Sequence, residues 1–305
     1  MRLIHFIICL LLLSACSASK MSSKLQITKE SYCNPPTNLT GTNHSISHNI
    51  DSVLSTNKLL TEKFSIPGII LLHALDILEE GKHLVLLQQD TGNNLAVFQL
   101  KLQIQSKVYL ANSGIDAIAA ELDCEGQRIN QITQYVEAMN AKQTTRLTVA
   151  SIVIGAATGI AGALVSNDNW VKGIAIGGGV AGAGVSIATL NPKGKKIELV
   201  HKRNLLRNVW LQQNNNDLPP FLWFMLTEKR ISNTGDNSLL ANLKHRWVRF
   251  QFNGKEDEGN TSVNFTDGGI YRVDDLQDRA AMLNQLRVEI RSLEQYLHIF
   301  LRELQ

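Results

Sequence analysis

The side chains with the most specific chemistry in this 305-residue chain are its four cysteines, Cys9, Cys16, Cys33 and Cys124. A cysteine thiolate is a strong nucleophile and can end as a disulfide or a thioether. Cys16 directly follows Leu13, Ser14 and Ala15, at the end of an apolar run from Leu3 to Leu13 that is preceded by Arg2. One cation, a short apolar run and small residues before a cut site are the layout of an export signal, and the run is too short to span a bilayer. Removal of residues 1–15 takes Cys9 away and makes Cys16 the new N-terminus. Cys33 and Cys124 then remain, either as one disulfide or as two free thiols, one of them within a helix.

The run Leu13-Ser14-Ala15-Cys16 resembles the lipobox of bacterial lipoproteins. The resemblance implies cleavage before Cys16, a thioether from its sulfur to diacylglycerol, and acylation of the new N-terminus. Two or three chains anchor a protein firmly, where one chain is marginal. Ser17, rather than an aspartate, follows the cysteine, which by the same resemblance implies the outer membrane; the lack of an acidic cluster after Cys16 implies a periplasmic face. The stretch from Glu121 to Arg128 and the turn Gly268-Gly269-Ile270-Tyr271 are similar to pieces of uncharacterised envelope proteins of Bacteroidetes-type bacteria. That likeness implies lineage and fold, and no activity.

Other chemistry-bearing patterns point away from catalysis. His44 and His48 are four apart, but their Asn, Ser and Gly neighbours do not predict the helix that would let them share a metal, so no metal site is expected. Gly177, Gly179 and Gly182 match the dinucleotide fingerprint, with Glu198 downstream. That fingerprint needs a strand before it and a helix N-terminus at the pyrophosphate, whereas these glycines continue an apolar small-residue repeat. No cofactor is expected. The chain has no G-x-S-x-G, H-E-x-x-H or Walker A sequence, so no catalytic residue is assigned and an enzyme is not expected. A net charge of +3 and 6% aromatic residues give no case for nucleic acid. Lys193, Lys195, Lys196, His201, Lys202 and Arg203 make a basic cluster that suits either a solvated face or anionic headgroups.

The elements that must carry these residues read as helices. Ile69 to Leu87 predicts one or two buried helices. Phe98, Leu100, Leu102 and Ile104 alternate with polar residues, as a strand would, but Leu, Gln and Lys favour helix, and helix is the reading taken. Ile115, Ile118, Leu122, Ile129, Ile132, Val136 and Met139 hold heptad core spacing, broken only at Glu125. Leu276, Leu283, Leu286, Ile290, Leu293, Leu297, Phe300 and Leu304 repeat the pattern, broken only at Arg279, with Asp274 and Gln277 as a capping box. Two matched seams far apart in sequence predict side-by-side packing in a bundle. Short helices are expected from Asn204 to Leu211 and after Pro219-Pro220. Trp247 to Phe252 alternates and is expected to pair with Ser262 to Phe265 as a small β-hairpin, with Gly268-Gly269 as a turn before the last helix.

Residues 147–165 and 173–190 are uncharged, apolar and rich in small side chains, with Trp170 and Lys172 in the polar turn between them. Each would reach roughly 28 Å as a helix. Gly155, Gly159 and Ala163, then Gly173, Gly177 and Ala181, recur every four positions, and Gly178, Gly182 and Ser186 form a neighbouring stripe. Such faces let helix backbones approach closely. The order of long helix, apolar hairpin and later helix is similar to the architecture of α-helical pore-forming toxins of the cytolysin A type. The expectation is a mainly α protein: a signal over 1–15, a lipid anchor and tether over 16–60, a helical region over 61–146, a glycine-zipper hairpin over 147–190, and a mixed region over 191–305 ending in a long amphipathic helix. The expected role is a structural or assembly component of the envelope, with a membrane, an envelope protein or its own copies as partners; the alternative is a membrane-perturbing pore former.

Overall fold

The computed structural model describes residues 31–35, 46–89, 94–164, 194–233 and 235–305. The described chain is mainly helical, with a small two-stranded antiparallel sheet. In chain order the elements are α1 (Ile50–Thr56), a 3-10 turn (Lys58–Glu62), α2 (Ile66–Ala74), α3 (Leu78–Gln89) and α4 (Asn94–Leu164). After these come β1 (Ile197–Val200), α5 (Leu205–Leu211), α6 (Pro220–Thr227), α7 (Leu239–Phe250), α8 (Glu256–Asn260), β2 (Gly268–Tyr271) and α9 (Val273–Leu304).

The chain divides into two compact units. The larger comprises residues 31–130, 201–268 and 277–305. Within it, the seams read from the sequence are buried. Ile115, Ile118, Leu122 and Ile129 of α4, and Leu283, Leu286, Ile290 and Leu293 of α9, are closed to solvent. The two helices run antiparallel there. Lys101 Nζ donates to the backbone oxygen of Gln305 at 2.6 Å, while Arg287 Nη1 meets Asp123 Oδ1 at 2.6 Å and Arg279 approaches Glu125. Around this pair, α2 packs on α3 and α6, and Phe64 stacks on Phe300. Local signals set the helix starts: Ser65 caps α2 by accepting from Gly68 N, with Pro67 in its first turn. Pro220 opens α6 in the same way.

The smaller unit includes the described residues 131–164, 194–200 and 269–276. Its strand β1 buries Ile197 and Leu199 on one face, and β2 ends at the buried Tyr271. Asn140 Oδ1 accepts from Lys195 N at 2.7 Å, which fixes the chain entering β1 to α4.

Three local expectations are corrected. Residues 247–252 are not a strand. Residues 247–250 close α7 and 251–252 turn away from it; the start of α7 is set upstream by Ser238 accepting from Ala241 N, and its buried Leu240, Leu243 and Trp247 have helical spacing. A six-residue window fits either period, and the longer pattern decides. Ser262 to Phe265 is a 3-10 turn capped by Ser262. The sheet is instead made by β1 and β2, so Gly268 and Gly269 lie in a strand; their φ of 136° and 157° is backbone that glycine favours. Finally, α9 is capped by Asp275, whose Oδ2 accepts from Arg272 N at 2.8 Å, and not by Asp274.

Candidate functional site

The two breaks in the heptad seams meet. Glu125 and Arg279 both sit where apolar residues belong, and Arg279 Nη2 lies 4.0 Å from Glu125 Oε1 inside the larger unit. A lone charge at a heptad core position is costly, and complementary charges that face one another reduce that cost. Glu125 takes a fork from Arg128, with Nε to Oε2 at 2.8 Å and Nη2 to Oε1 at 2.7 Å, and a further hydrogen bond from Ser31 Oγ at 2.9 Å. Burial pushes its carboxyl up, but Arg128, Arg279 and Ser31 outweigh that and hold it below the usual carboxylate range.

Arg279 is 1% exposed. Its Nη1 donates to the Asn264 carbonyl at 3.0 Å and reaches Asn204 Oδ1 at 3.5 Å. Asn204 Nδ2 in turn donates to the carbonyls of Asn264 and Thr266, at 2.9 and 2.8 Å. The asparagine therefore ties the loop after α8 to the start of α5 and holds an acceptor at the guanidinium. His201 Nδ1 lies 3.9 Å from Glu125 Oε1. Burial, then the nearby Arg279, push its pKa down to about 3, so this contact joins a neutral imidazole to a carboxylate and is no ion pair.

One helical turn away, Arg203 Nη1 lies 3.2 Å from Glu121 Oε2, and Arg203 Nε lies 3.7 Å from Asp217 Oδ1. Arg203 also donates to the Asp217 carbonyl. Asn208 Nδ2 holds the other oxygen of Asp217 at 2.9 Å. Glu121 shares one arginine with a second carboxylate. Burial is the main reason its pKa is pushed up to about 7, against the opposing pull of Arg203. Neutral His201 and titratable Glu121 are groups that could hold or release a proton. Yet Arg128, His201 and Arg279 are closed to solvent, so the cluster acts first on the elements that supply it. A slip of α9 along α4 would strand Glu125 and Arg279, and the pair thereby selects one alignment.

Beside the cluster, Cys33 and Cys124 are joined by a disulfide with Cα atoms 5.6 Å apart, within the 4.4–6.8 Å that a bridge usually needs. Ser31 and Cys33 together clamp this end of the chain to α4, since Ser31 Oγ also accepts from Cys33 N at 3.2 Å.

The other sequence-derived sites fall as follows. Cys16, His44, Gly173, Gly177, Gly178 and Gly182 lie outside the described residues. Gly155 and Gly159 lie on α4, which runs through residue 147 without a break, and a side chain at Gly155 would meet nothing within 4 Å. His48 touches Thr227 Oγ1 at 3.3 Å and sits edge-on to Phe224. Among the described residues no group of three potential ligands could hold a metal, and no helix is long and apolar enough to cross a membrane. Sequence reading placed His201 and Arg203 in a basic surface cluster, whereas His201 is buried and Arg203 is paired with Glu121 and Asp217; it missed Glu121, Asn204, Asp217 and Asn264 as members of a site. The available signal was the pair of seam breaks, of opposite charge, on helices already expected to be neighbours. Comparison with protein-family models, with curated protein sequences and with solved structures finds no match.

Proposed function

We propose that the protein is a lipid-anchored component of the bacterial envelope that works by helix packing, with the glycine-rich segment 147–190 as its packing element. The observation that carries this reading is α4, one 71-residue helix that delivers the first apolar stretch as its C-terminal end. Val149, Ile152 and Val153 on that end are more than half exposed. Apolar side chains on a helix rich in small residues suit close packing against another helix. The Cys33–Cys124 bond supports an oxidising compartment, which fits export and the lipobox-like sequence at Cys16. On this reading, lipid on Cys16 holds the protein at the outer membrane facing the periplasm, and the segment joins copies of the chain or an envelope partner.

The same exposed residues favour a second reading, a membrane-perturbing protein that stores an apolar hairpin. A Cys16→Ala variant with a conventional export signal separates the two. Release from membranes by alkaline carbonate, as an oligomer that Gly155→Leu with Gly159→Leu dissociates, supports packing. Retention in the membrane pellet supports insertion, and dye leakage from lipid vesicles then tests pore formation. Release as an oligomer indifferent to both leucines defeats both readings.

A further inference from the structure

The loop between α5 and α6, residues 212–219, is held in a conformation that its own residues do not favour. Gln212 and Asn216 stand at φ of 54° and 62°, a region that side chains other than glycine rarely adopt. Contacts at the far end of the loop hold it there. Asn214 Oδ1 accepts from Asp217 N at 3.1 Å and from Leu218 N at 3.0 Å, and its Nδ2 donates to the Leu218 carbonyl at 2.9 Å. Asn208 Nδ2 of α5 donates to Asp217 Oδ2 at 2.9 Å, and Arg203 donates to the Asp217 carbonyl. Leu218 is closed to solvent, so the loop enters the core just before α6 begins.

Arg203 is the contact that can change. Its guanidinium lies between two carboxylates from different elements, 3.2 Å from Glu121 Oε2 and 3.7 Å from Asp217 Oδ1. It is committed to neither carboxylate. Among the described residues, Glu121 Oε2 and Arg203 Nε are both buried without a hydrogen-bond partner. Leaving such groups unpaired is costly, and a small rotation of the guanidinium would satisfy one carboxylate at the expense of the other. We infer that Arg203 is a proton-controlled latch on this loop: protonated Glu121 leaves it to Asp217 and the loop stays shut, whereas ionised Glu121 draws it away and the loop opens.

The charge that works the latch is that of Glu121. The charged groups acting on it are Arg203 from the segment after β1, Asp217 from the loop, and Glu125 one turn further along α4. Burial opposes its ionisation most, Arg203 favours it, and the two carboxylates oppose it again, so its pKa is pushed up to about 7 and it gives its proton to water near neutral pH. Over the same range the arginines stay charged and His201, with a pKa pushed down to about 3, stays neutral. Ionisation also places a second negative charge near Asp217. Repulsion between the carboxylates and the departure of Arg203 then act on the loop in the same direction. The latch is shut below the Glu121 transition and open above it.

The latch lies wholly in the larger unit and rests neither on the lipid nor on the glycine-rich segment. Its test is amide hydrogen exchange of the full chain in mild detergent between roughly pH 6 and 8.5, with each rate divided by the intrinsic rate at that pH. Protection of the Asp217 and Leu218 amides should fall about tenfold as pH rises through the Glu121 transition, while amides around the buried Leu286 and Ile290 of α9 keep theirs. Glu121→Gln should hold the loop shut at every pH. Asp217→Asn should lower protection at pH 6 to the level that the wild type reaches at 8.5. If either variant fails to fold, the wild-type series still decides, because it compares the loop with α9 in one molecule. Loop protection that ignores pH overturns the inference. So does a loss that α9 shares, a Glu121→Gln loop that opens as the wild type does, or an Asp217→Asn loop that stays shut at pH 6.

Discussion

Replacing Glu125 and Arg279 by leucine, singly and together, gives the sharpest prediction. At 4.0 Å the two charges attract by about 4 kcal/mol at an effective dielectric of 20, before the cost of taking both out of water. Glu125→Leu removes the carboxylate that Arg128 forks and that Arg279 faces, and leaves two guanidiniums in a closed site. It should cost about 3–5 kcal/mol. Arg279→Leu strips a donor from the Asn264 carbonyl and Asn204 Oδ1 and should cost about 2–4 kcal/mol. The double variant completes both apolar seams, so it should be more stable than the sum of the singles requires. The coupling should be on the order of 1–3 kcal/mol, below the gross Coulomb value because Arg128 and Ser31 keep their claims on Glu125. Urea unfolding followed by helical circular dichroism measures all four corners of the cycle. Additivity within about 0.5 kcal/mol would show that the seam breaks do not sense one another and do not set the alignment of α9 on α4.

Stability should also depend on pH through Glu121 and His201. Glu121 titrates near 7 when folded against 4.5 as a free side chain, so its contribution is fully present below 4.5 and is lost as pH rises through 7. His201 titrates near 3 when folded against 6.5, so its contribution is present above 6.5 and lost as pH falls toward 3. Wild-type stability should be flattest between these flanks, and Glu121→Gln should gain on wild type by on the order of 2–3 kcal/mol between pH 4.5 and 7; a pH-independent difference refutes the assignment. Cys124→Ala opens a bridge between residues 91 apart and should cost about 2–5 kcal/mol, read as a lower urea midpoint, whereas an unchanged midpoint would show that the bond does not restrain the unfolded chain. Gly259→Ala should cost about 1–3 kcal/mol, because its Cβ would come within 2.2 Å of the Trp210 ring, which is stacked on Phe265 and has little room to retreat. Thermal unfolding checks it, and an unshifted midpoint would mean that the ring moves at no cost.

What the sequence determined by itself is the helical character and the buried faces. Heptad spacing in α4 and α9, Pro220 at the start of α6 and the alternation-versus-propensity choice at Phe98–Ile104 are local properties, since the period of one helix needs no other element to be read. The seam breaks were also visible as breaks. Only the tertiary structure decided that Glu125 faces Arg279, that Asn204 and Asn264 hold the Arg279 guanidinium, and that Cys33 lies within bonding distance of Cys124. Those contacts join residues tens to more than a hundred positions apart, and sequence spacing carries no distance across such gaps. The small sheet shows the same limit. Ile197–Val200 and Gly268–Tyr271 are too short for a period to register, whereas residues 247–252 alternate well and form the last turn of a helix and the turn after it. A strand exists only where a partner offers its hydrogen bonds, and the fold places that partner, not the strand's own residues.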